Sequence, residues 1–170
     1  MTTKKERKWE PSACSPRFPL FIDLSGKKVL LVGGGAVALR RAQALLPFGP
    51  RLTVIDPAPN ADLQRLGVNV IRRPYEGGDC AGFGLVLAAT DSRKVNHTVF
   101  LEASSLGIPV NAADCPDECD FYFPGIVRRG SVVIGVTASG SDHGFAKTVT
   151  ENIRREAPRL IPKKEEQNEP

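Results

Sequence analysis

Short continuous apolar runs alternate along most of the chain with segments whose apolar positions recur every three or four residues. The first pattern is typical of strands covered on both faces, and the second is typical of amphipathic helices. Strands are predicted at residues 29–32, 52–55, 68–72 and 83–89, with a fifth that starts at 108–110 and ends at 111–114, and helices at 36–46, 61–66 and 93–106. Because strands and helices alternate, we expect a Rossmann-like α/β fold with a parallel sheet.

The pattern changes after residue 114. Residues 121–123, 126–127 and 132–136 have the composition of strands and a turn is predicted at 129–131, which favours an antiparallel extension. A last helix is predicted at 143–156, because Pro158 and Pro162 would end regular structure. The predicted domains are a flexible arm at 1–17, a Rossmann domain at 18–114, an extension with a terminal helix at 115–157, and a disordered tail at 158–170.

The composition narrows the class of protein. Of the 170 residues, 41% are hydrophobic and 25% are charged, as in an ordinary globular protein. The net charge of +4 is dispersed, with no basic stripe interleaved with aromatic residues, so we expect no nucleic-acid partner. Neither a membrane-length apolar stretch nor a signal-peptide pattern is present, so we expect a cytoplasmic protein without a membrane partner.

The four cysteines are predicted to be reduced thiols, because no secretion signal accompanies them; they are Cys14, Cys80, Cys115 and Cys119. Acidic residues flank the last two, which raises a structural metal site as an alternative. Their C-x₃-C spacing lacks a second pair of ligands, and the two histidines show no ligand spacing. We therefore predict no metal.

Three consecutive glycines, Gly33, Gly34 and Gly35, separate the first predicted strand from the first helix in KKVLLVGGGAVALRRAQALL. Without Cβ atoms the backbone N–H groups can approach a phosphate closely, and the positive end of the helix can face it. Ala38 takes the place of the third glycine in the G-x-G-x-x-G pattern, where a small side chain is sufficient. The segment predicts a seat for a dinucleotide diphosphate, with a purely structural turn as the alternative.

Asp56 ends the second predicted strand, roughly 20 residues beyond the glycines. A carboxylate at this position can accept a hydrogen bond from the 2′-OH of an adenosine ribose, and it would repel a 2′-phosphate. The Rossmann domain at 18–114 is therefore predicted to bind NAD rather than NADP.

Four segments carry a resemblance to a known family: PLFIDLSGKKVLLVGGGAVALRRAQALL, LVLAATDSRKVN, IPVNAADCPDECDFYFPGIVRRG and VVIGVTASG. Taken in order, they resemble the amino-terminal region of siroheme synthase, the family of precorrin-2 dehydrogenases, some of which are also sirohydrochlorin ferrochelatases. The resemblance spans roughly residues 19–157. It implies NAD-dependent oxidation of precorrin-2, a tetrapyrrole with eight carboxylates, to sirohydrochlorin.

The resemblance also implies site residues. Asp114 matches the functional aspartate and would accept a proton, orient the macrocycle or assist metal insertion; a turn role before Pro116 is the alternative. Asn111 would brace the Asp114 loop. Arg128 is a candidate partner for substrate carboxylates, because a guanidinium group binds them in a bidentate manner, with a solvated surface position as the alternative. Further cofactor contacts are implied at Ala36, Val37, Pro57, Ala58, Thr90 and Asp91, although the last two could instead cap the helix that begins near residue 93.

Two departures from the family pattern affect the expected activity. Residues 137–143 read TASGSDH, which keeps Gly140 but places His143 where the family has proline, so ferrochelatase activity stays open. Ser141 or Asp142 can still cap the following helix. The family continues with a further helical region, whereas a polar tail follows Glu156 here, so we expect an open cleft that another subunit or a partner covers.

The resemblance implies that the strands after residue 114 form an intertwined homodimer, which would pair otherwise exposed strand edges. Two alternatives to a precorrin-2 dehydrogenase stay open. One is a non-catalytic protein of this family that binds NAD or a tetrapyrrole. The other is a chelatase that has lost dehydrogenase activity, against which the intact glycine segment argues.

Overall fold

The computed structural model of the chain describes residues 17–140 and 142–162. They fall into two compact units: one spans 21–123, and the other combines residues 17–20 with the described residues from 124 onward. The predicted flexible arm, apart from Arg17, lies outside the described residues, as do Ser141 and the predicted tail beyond residue 162.

The unit at 21–123 is built on five parallel strands: β1 (Lys28–Val32), β2 (Arg51–Ile55), β3 (Asn69–Ile71), β4 (Leu85–Ala88) and β5 (Val110–Ala112). They pair in the order β3-β2-β1-β4-β5. The connecting helices are α1 (Ala36–Leu45), α2 (Ala61–Arg65) and α3 (Arg93–Ser105), with 3-10 turns at Leu46–Phe48 and Pro116–Glu118. The chain reverses its direction of winding between β1 and β4, so the predicted Rossmann-like fold is confirmed.

The central strand β1 is buried on both faces. Val29 and Leu31 belong to one apolar cluster, whereas Leu30 and Val32 belong to a second cluster on the opposite face. Successive side chains of a strand point to opposite faces, so a continuous apolar run such as VLLV supplies both layers of the core. The strand therefore lies in the middle of the unit, and the glycine turn follows its carboxyl end.

The helices pack small and branched side chains onto the sheet. Ala38 and Ala42 of α1 are fully buried in the first cluster. On α3, Val99 and Ala103 are fully buried in the second cluster and Val95 packs against it, so these positions form the apolar face of the helix. Small residues bring the axis of α1 close to the strands, so the start of that helix is held near the end of β1.

The second unit contains an antiparallel pair, β6 (Gly125–Arg129) and β7 (Val132–Val136), and one helix, α4 (His143–Leu160). This confirms the predicted antiparallel extension and final helix. A Cβ on Gly125 would lie 2.2 Å from Thr150 Oγ1 of α4, so glycine permits the close approach of helix and strand. In the described part of the chain no helix has the length and apolarity needed to cross a membrane.

Two element predictions were wrong. Residues 121–123 are not a strand. Phe121 and Phe123 instead pack against the first apolar cluster, so their aromatic side chains extend the core. Helix α4 continues past Pro158 to Leu160 rather than ending at residue 156. Just beyond its last turn, Arg129 Nε donates to the carbonyl of the C-cap residue Ile161 at 2.6 Å, which ties the end of the helix to β6.

Candidate functional site

Gly33 directly follows β1, in a position that requires glycine. Its φ is +106°, and a Cβ there would lie 2.4 Å from the carbonyl oxygen of Ala89, which follows β4. Its N–H donates to Ile55 O of β2 at 2.9 Å. The ends of three neighbouring strands therefore meet at this glycine, at the switch point of the sheet.

Gly34 is enclosed by the loop that follows β2. A Cβ on Gly34 would lie 2.6 Å from Pro59 Cα and 2.9 Å from Asp56 Cβ. The Gly34 N–H donates to Asp56 Oδ2 at 2.7 Å, and the Gly34 carbonyl accepts from Asn60 N at 2.8 Å. The protein itself therefore requires the first two glycines of the turn.

Gly35 differs from both of its neighbours because a Cβ there would meet no atom within 4 Å. It is the N-cap of α1, with a φ of −80° and no side chain hydrogen-bonded to the helix start. Ala36 and Val37, both predicted cofactor contacts, are exposed in the first turn. Because the first N–H groups of a helix have no partner within it, this terminus offers free donors beside open space, which fits a diphosphate.

Asp56 organises the turn in addition to its predicted ribose contact. Its two carboxylate oxygens accept the N–H groups of Gly34 and Ala58, each at 2.7 Å. A carboxylate has lone pairs left after two such bonds, so it can still accept a ribose hydroxyl. Pro57 and Ala58, the predicted adenosine contacts, are exposed beside it.

Thr90 and Asp91 follow β4 in a turn that Asn96 holds. The Asn96 side chain is fully buried; its Oδ1 accepts from Thr90 N at 3.1 Å, and its Nδ2 donates to Thr90 O at 3.1 Å. Ser92 caps α3, with its side chain accepting from Val95 N, so the alternative capping role for Thr90 and Asp91 was wrong. Asp91 is exposed next to the switch point.

Asp114 follows β5 and is exposed, with its side chain near the start of α3. Arg93 NH1 lies 3.6 Å from Asp114 Oδ1, and Arg93 NH2 contacts Glu118 Oε1. His97 Nδ1 lies 2.7 Å from that same Glu118 oxygen. We call Arg93, His97, Asp114 and Glu118 the Asp114 cluster.

Hydrogen bonds shift two groups of this cluster. The Arg93 hydrogen bond holds the pKa of Glu118 below its usual value, and Glu118 in turn raises the pKa of Arg93. Sequence reasoning identified Asp114 but missed the other three residues. The i, i+4 spacing of Arg93 and His97 placed them on one face of α3, but it did not indicate that Glu118 would lie opposite.

Asn111 is 4% exposed, and its side chain links β5 to the residues that follow the Asp114 loop. Its Nδ2 donates to Phe121 O at 2.7 Å and to Cys119 Sγ at 3.2 Å, which ties β5 to the segment after the Asp114 loop. The Cys119 thiol donates to backbone carbonyls, among them Ala112 O at 3.1 Å. Within residues 17–140 and 142–162, no three His, Cys, Asp or Glu side chains are grouped as metal ligands.

Arg128 belongs to the second unit, where it is exposed on β6. In the same unit, Ser139 belongs to the loop at 137–143 that differs from the family pattern. Its φ is +54°, a conformation that favours glycine. Asp142 caps α4, with Oδ1 accepting from Phe145 N at 2.8 Å.

A surface groove of about 520 Å³ lies at the opposite edge of the parallel sheet. Residues at the starts of β1, β2 and β3 line it, among them Lys28, Arg51 and Asn69. The groove is therefore separate from the carboxyl edge, where the glycine turn, Asp56, Thr90 and Asp114 follow four strands.

Comparison with known proteins agrees with this geometry. Residues 20–125 match the family described as "Putative NAD(P)-binding". The "Probable multifunctional siroheme biosynthesis protein HemA" of Ruminiclostridium josui is 45% identical over 144 residues, covering 82% of this chain and 28% of that protein. A "Siroheme synthase" of Psychrobacter arcticus is 39% identical over 149 residues, covering 85% and 26%. The chain thus spans little more than a quarter of these relatives.

Among solved structures, "SirC, precorrin-2 dehydrogenase" superposes with a TM-score of 0.66 at 24% identity, covering 85% of this chain and 71% of that one. This likeness supports the fold. The resemblance to siroheme synthase drawn from the sequence motifs is confirmed by the relatives. Since the family match takes in the glycine turn, Asp56 and Asp114 together, the chain belongs to this NAD(P)-binding family.

Proposed function

We propose that the chain catalyses the NAD-dependent oxidation of precorrin-2 to sirohydrochlorin in siroheme biosynthesis. The observation that carries the proposal is the carboxyl edge of the parallel sheet, which brings an open helix terminus, the Asp56 carboxylate and the Asp114 carboxylate to one side of one domain. Ligands bind at this edge in open α/β sheets. The siroheme proteins among the relatives supply the substrate class.

The chain's own residues would hold the cofactor in three places. The N–H groups at the start of α1 would bind the diphosphate beside Gly35, and Asp56 would accept the adenosine ribose hydroxyl. Thr90 and Asp91, across the switch point, would border the second ribose. A carboxylate at Asp56 favours NAD over NADP because it repels a 2′-phosphate. When bound, NAD takes up the hydride that the substrate loses.

Oxidation of the ring also releases a proton, which requires an acceptor. Asp114 is exposed, and its carboxylate lies 3.6 Å from Arg93, so it would be available to take that proton or to orient the macrocycle. Arg128 would pair with a substrate carboxylate, since a guanidinium group binds carboxylates in a bidentate manner. Asn111 would act by bracing the loop rather than by touching the ring.

We also propose a homodimer formed through the second unit. A two-stranded sheet is marginal by itself, and within the described part of that unit β6 and β7 pair with no further strand. Val132 of β7 is 41% exposed and Phe145 of α4 is 63% exposed, which gives the unit apolar surface for a second copy. The cytoplasmic location stays a prediction.

The reaction is tested directly with purified protein, NAD and precorrin-2, following NADH and sirohydrochlorin by absorbance. We expect turnover that falls about 100-fold or more in Asp114→Asn, the scale of a lost general base, with NAD affinity unchanged. NAD or sirohydrochlorin binding without turnover would instead indicate a non-catalytic binding protein. Equal turnover in wild type and Asp114→Asn would remove Asp114 from the mechanism.

The cofactor seat is tested with Gly35→Ala. The new methyl meets no protein atom and the φ of −80° suits alanine, so the fold should be retained. Since the methyl would occupy the space beside the helix start, we expect NAD affinity measured by calorimetry to fall about tenfold or more. Gly77→Ala is the matched control, because Gly77 is exposed in a turn and also has open space around its Cβ position. Equal NAD affinity in both variants would contradict diphosphate binding at the start of α1 beside Gly35.

A further inference from the structure

Asn96 uses both ends of its side-chain amide on a single residue, Thr90, in the turn after β4. Its Oδ1 accepts from Thr90 N at 3.1 Å and from Thr90 Oγ1 at 2.7 Å, and its Nδ2 donates to Thr90 O at 3.1 Å. The Asn96 side chain is fully buried in the first turn of α3. Because water does not compete for a buried amide, these bonds fix both backbone polar groups of Thr90.

The backbone at Thr90 lies directly against the glycine turn. A Cβ on Gly33 would lie 2.8 Å from Thr90 N and 2.4 Å from Ala89 O. Ser92 N closes the turn after β4 by donating to Thr90 Oγ1 at 3.2 Å. A shift of Thr90 would therefore change the crevice at the switch point, between the ends of β1 and β4.

The other side of the switch point is held by different hydrogen bonds. Gly33 N donates to Ile55 O at 2.9 Å. Gly34 N donates to Asp56 Oδ2 at 2.7 Å, and Gly34 O accepts from Asn60 N at 2.8 Å. Each of these bonds joins the glycine turn to β2 or to the loop after β2, and none of them involves α3. The β2 side of the crevice is therefore held independently of the buried amide of α3.

We infer that Asn96 is a positioning residue for the nicotinamide half of the coenzyme: it holds the Thr90 turn in place before the coenzyme binds. This inference rests on the proposed function, in which Thr90 borders the second ribose and Asp56 and the start of α1 bind the adenosine diphosphate half. A turn that is already ordered requires no further ordering when the ligand arrives. The buried amide thus raises the affinity for NAD without touching it.

The experiment compares NAD with ADP, which contains the adenosine and the diphosphate but lacks the second ribose and the nicotinamide. Both affinities are measured by calorimetry for wild type and Asn96→Ala. Without the amide, Thr90 has to be ordered at each binding event, so we expect the affinity for NAD to fall about tenfold and the affinity for ADP to change by about twofold or less. A general structural defect would lower both affinities together. Equal losses for the two ligands, or no loss for NAD, would overturn the inference.

Ser92→Ala is the matched control, because Ser92 is the N-cap of the same helix and its side chain accepts from Val95 N at 3.4 Å. The substitution weakens the start of α3 but keeps the Asn96 amide and the Ser92 N–H that donates to Thr90 Oγ1. We expect a lower melting temperature, with both affinities within about twofold of wild type. A selective loss of NAD affinity as large as that of Asn96→Ala would overturn the inference, because any weakening of this helix start would then have the same effect.

A measurement on wild type alone keeps the inference testable if Asn96→Ala does not fold. If Asn96 orders the turn in advance, the Thr90 N–H of the protein without coenzyme should exchange with solvent about 100-fold or more slowly than an unprotected amide. Hydrogen exchange followed by NMR measures this rate. A Thr90 N–H that exchanges as an unprotected amide in the absence of coenzyme would overturn the inference.

The inference and the proposed function fail on different results. If wild type binds neither NAD nor ADP, the proposed NAD-dependent reaction fails and the inference fails with it. If wild type binds NAD, and Asn96→Ala weakens NAD and ADP to the same extent, only the inference fails.

Discussion

Helix α3 carries a charged network at each end, and the two differ in how completely their hydrogen bonds are formed. Near its carboxyl end, Glu102 accepts from Cys80 N at 2.9 Å through Oε1, and from Tyr75 OH at 2.6 Å and Gly78 N at 3.0 Å through Oε2. Near its amino end, Glu118 uses one oxygen twice and leaves the other without a partner among the described residues.

The Glu102 network pins the long loop between β3 and β4 to the helix. Asp79 adds a bidentate pair with Arg73, at 2.6 and 2.7 Å. Burial raises the pKa of Cys80 to about 11, so its thiol stays protonated there. A network whose acceptors are all used is suited to stability, whereas in the Asp114 cluster the buried Glu118 Oε2 has no hydrogen-bond partner among the described residues.

The largest effect on stability is expected for Glu102→Gln. The amide must present an NH₂ group to at least one of three donors that now face the carboxylate, which leaves a backbone N–H without an acceptor. We expect the free energy of unfolding in urea to fall by about 2 kcal/mol, the scale of one unsatisfied buried donor. Tyr75→Phe, which removes one donor and keeps the carboxylate, serves as the milder comparison. Unchanged stability in Glu102→Gln would show that the loop is held by other contacts.

A smaller effect is expected on the pH dependence of stability. Burial tends to raise the pKa of Glu102, but its hydrogen bonds from Tyr75, Cys80 and Gly78 together lower it, and the Arg73 hydrogen bond lowers the pKa of Asp79. A lowered folded-state pKa means that the stabilisation is present above the unfolded pKa and is lost as pH falls through the folded value. Wild type should therefore lose stability between about pH 5 and pH 3.

Glu102→Gln, which has no charge to lose at this position, should show a shallower decline in stability as the pH falls. Urea unfolding at several pH values measures both slopes. Part of the slope should remain in the variant, because Asp79 and Glu118 also have lowered pKa values. Parallel slopes for the two proteins would mean that the Glu102 hydrogen bonds do not favour its ionised form.

The smallest effect is expected for the stability of Glu118→Gln, the same substitution in the unsaturated network. Arg93 and His97 are 47% and 49% exposed, so they can turn to water when the charge is removed. Neutralising a buried carboxylate also relieves its desolvation, so the melting temperature should change by about 2 °C or less. A loss as large as that of Glu102→Gln would erase the distinction between the two networks.

The fold and the glycine turn could be predicted from the sequence because their requirements are local. The apolar run of β1 and the glycines after it are adjacent in the chain, and Gly33 and Gly34 are required by backbone geometry that sequence patterns report directly. Asp56 was found by its distance along the chain from those glycines. Its bonds to Gly34 N and Ala58 N were not predicted.

The Asp114 cluster could not be predicted beyond Asp114 itself. Glu118 lies 25 residues from Arg93 and 21 from His97, so their meeting depends on how the loop after β5 packs against α3. The hydrogen bond from Arg129 to Ile161, at the end of α4, likewise joins residues that are 32 apart in the chain. These features follow from tertiary contacts, which override local propensity.

The two hydrogen bonds of Asp56 bear on any attempt to redesign the protein for NADP. The usual strategy replaces this acid with a small or basic residue to admit the extra phosphate. Here such a replacement would also take the acceptor away from Gly34 N and Ala58 N, so the loop would loosen together with the change in coenzyme preference. A successful redesign would have to supply a new acceptor for the backbone first.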